Sequence, residues 1–238
     1  MDLSDWTMAA RLQWRRLREL MKHLRDRGLS RTAQVGLSAW RDRSFDDSGG
    51  FDTRTCDDLH TRKRRIPALQ HATIYAPTRA LPLSGLLRAL KVPRDAVFVD
   101  LGCGKGRALI VAAQYGVRRL KGIELVPEFV RSCEMNLQKV LSRGADLEWQ
   151  ILNLDIRDYA VSPEDDVFYL YDPCAWPVVL ACLTNILASW REHPRRLQVI
   201  YHDNLLDRSR LEADAGGFDH LAEHCFDGNR FYVLTKEA

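Results

Sequence analysis

The ten residues 98–107, FVDLGCGKGR, decide the fold of this chain. An apolar run ends in Asp100, and glycines follow at positions 102, 104 and 106. Glycine tolerates positive φ and lets backbone N–H groups approach a ligand that a Cβ atom would block. The stretch therefore predicts a buried strand, a tight turn and the start of a helix, with a ligand site at the turn.

Two common nucleotide-binding loops do not fit this spacing. A dinucleotide site needs a third glycine at the sixth position of G-x-G-x-x-G, and that position, counted from Gly102, is Arg107. A P-loop needs Gly-Lys followed by Ser or Thr, whereas Lys105 is followed by Gly106. Lys105 and Arg107 are therefore interpreted as helix-start residues that face solvent or an N-terminal lid.

The residues after position 77 alternate between strand and helix patterns. Strands are predicted at 96–101, 119–125, 147–153, 166–172 and 197–203, with helices at 78–90 (Thr78 as N-cap), 106–116, 127–143 and 177–190. This alternation predicts βαβ units, a mostly parallel sheet and an α/β fold. Two more strands, at 218–226 and 230–236, flank Asp227-Gly228 and predict a final antiparallel hairpin.

The pattern D-x-G-x-G-x-G at residues 100–106 resembles motif I of the class I S-adenosylmethionine (SAM) dependent methyltransferases. The resemblance covers about residues 74–238. It implies a seven-stranded Rossmann-like sheet, mostly parallel with a C-terminal antiparallel hairpin and with helices on both faces. It also implies SAM as cofactor and S-adenosylhomocysteine as product.

The resemblance assigns cofactor contacts to residues at the ends of three strands. Asp100 is expected to hold the amino-acid end of SAM, Glu124 the ribose hydroxyls and Asp155 the adenine amino group. The full expected cofactor-binding set is Tyr75, Thr78, Asp100, Gly102, Cys103, Gly104, Gly106, Glu124, Leu125, Asp155 and Ile156.

Residues 75–78, YAPT, are similar to the Y-x-x-T loop of the non-SET histone-lysine methyltransferases and their bacterial relatives. This similarity implies that Tyr75 and Thr78 contact the methionine end of SAM. An N-cap at the start of a helix explains Thr78 equally well.

Residues 169–176, YLYDPCAW, resemble motif IV of amine-directed methyltransferases. Asp172 and Pro173 are the candidate catalytic residues, which would orient an attacking nitrogen toward the methyl group. Cys174 replaces the second proline of that motif, so nucleic acid is not expected as a partner. His202 is a third candidate, either as a proton acceptor near neutral pH or as a structural hydrogen-bonding residue.

The preferred function is therefore methyl transfer to an amine nitrogen of a peptide, protein or small molecule. One alternative is a small-molecule O-methyltransferase that acts on a hydroxyl or carboxylate with His202 as base. The other is a non-catalytic SAM-binding regulatory module, in which a basic N-terminal helix carries the interaction.

Residues 1–73 are expected to form a helical and loop segment beside a SAM-binding domain at 74–238. An amphipathic helix is predicted at 4–27, and a loop or lid at 44–67 that contains the basic run 61–65. Residues 1–65 hold 15 Lys and Arg against 10 Asp and Glu, so an anionic partner would meet this part. A lid, a dimer contact and a partner-binding surface stay open as its role.

Composition restricts the class of protein further. A chain of 238 residues with 46% hydrophobic residues is long enough for one well-buried domain with an appendage. Its six cysteines show no CxxC spacing, so reduced thiols are expected and no metal. The sequence shows neither a transmembrane run nor a secretory signal, which predicts a cytoplasmic protein. A homo-oligomer is compatible with the sequence.

Overall fold

The computed structural model describes residues 43–54, 76–171, 174–202, 208–214 and 216–238. Several predictions lie outside these residues: the helix at 4–27, the basic run 61–65, Tyr75, Asp172 and Pro173. The boundary between residues 73 and 74 also falls there and stays a prediction.

Seven strands form one sheet with the order β3-β2-β1-β4-β5-β7-β6. The strands are β1 Val97–Leu101, β2 Arg119–Glu124, β3 Glu148–Asn153, β4 Asp165–Tyr171, β5 Leu197–His202, β6 His220–Phe226 and β7 Asn229–Lys236. The first five pair in parallel, while β7 is antiparallel to both β5 and β6. The predicted sheet is confirmed, with strand ends displaced by one or two residues.

The described helices are α1 Arg43–Gly49, α2 Ala80–Leu90, α3 Arg107–Tyr115, α4 Pro127–Leu141, α5 Trp176–Glu192 and α6 Arg208–Asp214, with a 3₁₀ turn at Ile156–Asp158. A loop was predicted at residues 44–67, and this prediction is wrong for residues 44–49, which belong to α1. The helix was missed because its buried face carries the charged Asp46, which is paired inside the fold, and not the apolar residues by which a helix is predicted. No pattern predicted α6.

Alternation along the strands sorts the side chains into two cores. On one face, Phe98, Tyr169 and Ile200 pack against α2, α3 and α4. On the other face, Phe168 and Val199 pack against α5 and α6. Helices therefore cover both faces of the sheet, as expected.

Among the described residues, no helix combines the length and the apolar character that a membrane span requires.

Strand register brings the polar residues together at one edge of the first face. Asp100 of β1 lies beside Gly122 of β2 and Tyr169 of β4. Tyr171 lies beside His202 where β4 and β5 end. The carboxyl ends of these parallel strands form the edge at which ligands bind in open α/β sheets.

The hairpin turn confirms the prediction made from Asp227-Gly228. Asp227 has φ of 46° and Gly228 has φ of 76°. Positive φ at both central residues is the geometry of a type I′ turn, which matches the twist of the paired strands.

Gly106 is the N-cap of α3 and has a conformation that only glycine takes easily. Its φ is +86°, and a Cβ atom added there would lie 2.5 Å from the Cys133 sulfur of α4. Gly106 therefore allows the turn at residues 102–106, called the glycine turn below, to pack directly on α4. Gly144 has a similar φ of +87°, but an added Cβ there would meet nothing within 4 Å.

We predict that Gly106→Ala lowers the free energy of unfolding by about 3 kcal/mol, through both backbone strain and the contact with Cys133. Gly144→Ala carries the strain alone and should cost about 1 kcal/mol. Urea unfolding measures both values. In a double-mutant cycle, adding Cys133→Ala to Gly106→Ala should recover most of the free energy of unfolding that Gly106→Ala loses beyond the loss in Gly144→Ala. Equal losses in the two glycine variants would contradict the close-packing explanation.

Candidate active site

Glu124, the last residue of β2, ties the glycine turn to the rest of the sheet. Its carboxylate accepts hydrogen bonds from the backbone N–H of Gly104 and of Val126, both at 2.8 Å. Burial raises the pKa of Glu124, whereas bonds from the N–H groups of Val126, Gly104 and Leu125 act in the opposite direction. With these main-chain donors, the carboxylate still has acceptor capacity for a further hydrogen bond.

Asp100 is the second buried carboxyl group at this edge and differs sharply from Glu124. The residue is only 3% exposed, and its carboxyl group makes no hydrogen bond or ion pair with the residues that the structure describes. Burial raises its pKa well above the usual range, and the charge of Glu124 adds to this effect. A buried carboxyl group without a partner favours either a bound proton or a bound cation.

The turn itself is held by main-chain hydrogen bonds. The N–H groups of Gly102 and Cys103 both donate to the carbonyl of Ile123, at 2.9 and 3.0 Å. Asn153 at the end of β3 donates to the carbonyls of Glu124 and Leu125, at 2.8 and 3.1 Å. The ends of β1, β2 and β3 are thereby fixed relative to one another.

Asp155 follows β3 and is engaged within its own loop. It accepts from the backbone N–H of Arg157 at 2.9 Å, which begins the 3₁₀ turn. Its carboxylate also pairs with the Arg157 guanidinium, with the shortest contact at 2.7 Å. Sequence reasoning missed this partner, although an arginine two residues after an aspartate is a visible signal. The neighbouring Ile156 accepts a weak hydrogen bond from the Cys182 thiol at 3.7 Å.

Thr78 lies in a buried cluster with two residues from the sheet. Its hydroxyl is hydrogen-bonded to the Tyr169 hydroxyl and lies 3.3 Å from Nδ1 of His202. Tyr169 and His202 are in turn joined at 3.0 Å. The predicted N-cap role of Thr78 is wrong, since Arg79 is the N-cap of α2 and the Thr78 hydroxyl is directed to β4 and β5 instead.

His202 is fully buried between two aromatic rings. Its ring stacks on Tyr171 at 4.3 Å and on Phe231 at 4.2 Å between centroids. Its pKa is lowered to about 3, mainly by burial and in addition by the charge of Arg79, while a hydrogen bond with Asn229 acts in the opposite direction. This pKa lies below the range assumed for a proton acceptor near neutral pH, and the catalytic assignment of His202 stays a prediction.

Arg107 was expected to face either solvent or an N-terminal lid. It is buried, so it does not face solvent. Its Nε donates to the Thr53 hydroxyl at 2.6 Å, and its Nη2 pairs with Asp46 at 3.1 Å. Asp46 and Thr53 belong to the N-terminal segment, so Arg107 faces that segment, while the role of the segment as a lid stays a prediction. Sequence reasoning missed both partners because no local pattern links residues this far apart.

Comparisons with known proteins agree with this architecture. Over 90 residues, the chain is 32% identical to a protein-lysine N-methyltransferase of Saccharolobus islandicus, an alignment that covers 37% of this chain and 56% of that protein. The chain thus matches just over half the length of this curated relative. No protein-family model matches the chain.

Two solved structures extend the comparison. A Methanococcus maripaludis protein, provisionally named a SAM-dependent methyltransferase, has a TM-score of 0.52 at 10% identity, covering 67% of this chain and 86% of that one. An RNA methyltransferase of Salinibacter ruber, solved with S-adenosyl-L-homocysteine, has a TM-score of 0.48 at 27% identity, covering 65% of this chain and 90% of that one. The chain has the fold of the class I SAM-dependent methyltransferases.

The methyltransferase fold brings most of the predicted site residues to one edge of the sheet. Asp100, Glu124 and the three glycines lie at the ends of β1 and β2, and Asp155 with Ile156 follows β3. Among the described residues, no cluster of His, Cys, Asp and Glu has the arrangement of a metal site. The binding and catalytic roles of these residues stay predictions.

The protein should lose stability in acid because of His202. Unfolded chains bind a proton at His202 below about pH 6.5, whereas the folded protein does not until about pH 3. The free energy of unfolding should therefore fall as the pH drops through this window, by up to about 1.4 kcal/mol per pH unit.

Urea unfolding between pH 4 and 7 should show this slope, and His202→Gln should flatten it. The exposed His193 provides the matched control, since His193→Gln should leave the slope unchanged. Raised pKa values of Asp100 and Glu124 act in the opposite direction in every variant. Identical slopes for the wild type and His202→Gln would contradict the buried neutral imidazole.

Proposed function

We propose that this protein is a SAM-dependent methyltransferase that methylates an amine nitrogen, with a lysine side chain of a protein or peptide as the preferred acceptor. The observation that carries the proposal is the pair of buried carboxyl groups at the glycine turn. Asp100 has no partner among the described residues, and Glu124 keeps unused acceptor capacity. A ligand with an ammonium group and a vicinal diol fits this pair, and SAM has both.

Each residue has a separate task in the proposed site. Asp100 holds the ammonium group by a charge-assisted hydrogen bond, and Glu124 accepts from the ribose hydroxyls while it keeps its bonds to Gly104 and Val126. The glycines at 102, 104 and 106 let the backbone approach the cofactor closely. Asp155 contacts the adenine amino group while it remains paired with Arg157.

When bound, SAM supplies an electrophilic methyl group on its sulfonium sulfur, and the S–C bond breaks as the N–C bond forms. An ammonium has no lone pair, so the acceptor amine must release its proton before it attacks. Asp172 and Pro173 are proposed to orient the neutral amine by their carboxylate and carbonyl oxygens. The chain's main contribution is then positioning of the acceptor and exclusion of water.

Two observations favour an amine over a hydroxyl as acceptor. The curated relative with 32% identity is a protein-lysine N-methyltransferase. His202 is fully buried with a pKa of about 3, so it is poorly suited to remove a hydroxyl proton at neutral pH. An amine can lose its proton to water before the methyl transfer begins.

SAM affinity should depend on pH through Asp100. Since the pKa of Asp100 is raised, its carboxyl group takes up a proton as the pH falls and can no longer pair with an ammonium. Affinity should therefore fall with pH, by up to about tenfold per pH unit for one linked proton. Isothermal titration calorimetry between pH 5 and 8 measures this dependence.

Asp100→Asn should weaken SAM binding at pH 8 by about 10- to 100-fold and reduce the pH dependence. Asp146→Asn removes an exposed, salt-bridged carboxylate and should leave binding unchanged. Unaltered affinity in Asp100→Asn, with the same pH dependence as the wild type, would remove Asp100 from the site.

The acceptor atom can be identified directly. We predict that incubation with SAM and a lysine-rich peptide methylates lysine Nζ, as located by fragmentation in a mass spectrometer, and that a fully N-acetylated peptide is not methylated. Asp172→Ala should lose methyl transfer and retain SAM binding. Methyl groups on hydroxyl or carboxylate oxygens would favour an O-methyltransferase. SAM binding without transfer to any acceptor would favour a regulatory module.

A further inference from the structure

The described part of the N-terminal segment, residues 43–54, forms a strap across the glycine turn and α4. Phe51 lies in the same core as Leu83 of α2 and Leu109 of α3. The carbonyls of Gly49 and Gly50 accept hydrogen bonds from Arg143 at 2.9 Å and from Lys139 at 2.7 Å. The strap is therefore packed and hydrogen-bonded like a structural element of the domain.

Asn136 of α4 joins the strap to the glycine turn. Its side-chain oxygen accepts from the backbone N–H of Asp52 at 3.0 Å, and its Nδ2 donates to the carbonyl of Asp52 at 3.3 Å. The same Nδ2 donates to the carbonyl of Lys105 at 3.0 Å. Lys105 Nζ also pairs with the Asp52 carboxylate at 3.4 Å. The strap thus holds the residue that precedes Gly106.

Arg107 joins the strap to the residue that follows Gly106. Its guanidinium group pairs with Asp46 and donates to Thr53, and both side chains of the ion pair are at most 5% exposed. The third nitrogen, Nη1, lies 3.5 Å from the carbonyl of Thr78. Arg107 therefore connects the strap, the glycine turn and the loop at residues 76–79, called the Thr78 loop, through one planar group.

Asp46 is fully satisfied inside the protein. Its carboxylate also accepts from the backbone N–H of Thr53 at 2.9 Å and from the Thr53 hydroxyl at 2.6 Å. A buried ion pair with this many hydrogen bonds holds its members in one geometry. The position of Arg107 at the first turn of α3 is consequently set by residues more than fifty positions earlier.

We propose that Asp46 and Arg107 are positioning residues for SAM, and that the strap presets the glycine turn and the Thr78 loop for cofactor binding. This inference rests on the proposed function, since it concerns the same cofactor site. Lys105 and Arg107 flank Gly106, and the strap holds both. Loosening the strap should therefore move the backbone N–H groups of the turn away from the positions that a bound cofactor needs.

Asp165 provides a matched control for Asp46. It is completely buried, pairs with Lys121 at 2.7 Å, and accepts from the Tyr159 hydroxyl at 2.7 Å and from the backbone N–H of Ser162 at 2.8 Å. Its position differs. Asp165 begins β4 at the amino ends of the parallel strands, whereas the glycine turn lies at their carboxyl ends. Asp165→Asn and Asp46→Asn thus each neutralise a buried, ion-paired aspartate, although Lys121 is 21% exposed and Arg107 only 4%, and only Asp46 is joined to the site.

Both variants should lower the melting temperature, by about 10 °C each. Only Asp46→Asn should also weaken SAM binding, by about tenfold or more in calorimetry. Hydrogen exchange of backbone amides at 102–110, measured without SAM, should be faster in Asp46→Asn than in Asp165→Asn. Thr53→Val, which removes only a hydroxyl, serves as the milder variant if Asp46→Asn does not fold.

The outcomes separate this inference from the proposed function. A wild type that does not bind SAM overturns both. A wild type that binds SAM, together with equal affinities in the Asp46 or Thr53 variant and in Asp165→Asn, overturns the positioning role alone. Selective weakening in the strap variants, accompanied by faster exchange at the glycine turn, supports it.

Discussion

The geometry of the glycine turn depends on the carboxylate of Glu124. This one side chain bonds the N–H groups of Gly104 and Val126, so it joins the end of β2 to the turn after β1 and to the start of α4. Three main-chain donors favour the ionised form, although burial raises the pKa. A negative charge is thereby held beside the turn. It adds to burial in raising the pKa of Asp100, and it adds to the Cys133 hydrogen bond and burial in raising the pKa of Cys103.

Buried carboxyl groups in this protein fall into two kinds, and the difference separates structure from function. Asp46 and Asp165 each have a cation, a hydroxyl and a backbone N–H as partners, so the folded chain already supplies what their charges need. Asp100 has no such partner among the described residues. Since an unpaired buried charge costs several kcal/mol, a bound cation has more to offer at Asp100 than at either of the other two.

Local sequence patterns predicted the parts of the fold that local physics determines. The strands follow from apolar runs, and the hairpin follows from Asp227-Gly228. The contacts of the strap lay beyond such patterns, because Asp46 and Arg107 are 61 positions apart in the chain. The same holds for Thr78, which is 91 positions from Tyr169 and 124 from His202. A capping pattern at Thr78 was visible locally, and a buried tertiary hydrogen bond prevailed over it.

The pKa of His202 was equally hidden in the sequence, since it depends on the Tyr171 and Phe231 rings that enclose it. This burial has a consequence for the proposed chemistry. SAM carries a positive sulfonium, which a charged imidazolium nearby would oppose. Tyr169 connects the two regions, because its hydroxyl bonds His202 and its pKa is raised mainly by burial and additionally by the charge of Asp100. A His202 that stays neutral above about pH 3 adds no positive charge of its own to the field of Asp100 and Glu124. In the proposed site, that field would favour a cationic methyl donor over its neutral thioether product, so discrimination between cofactor and product would depend on the neutral imidazole as well as on the carboxylates.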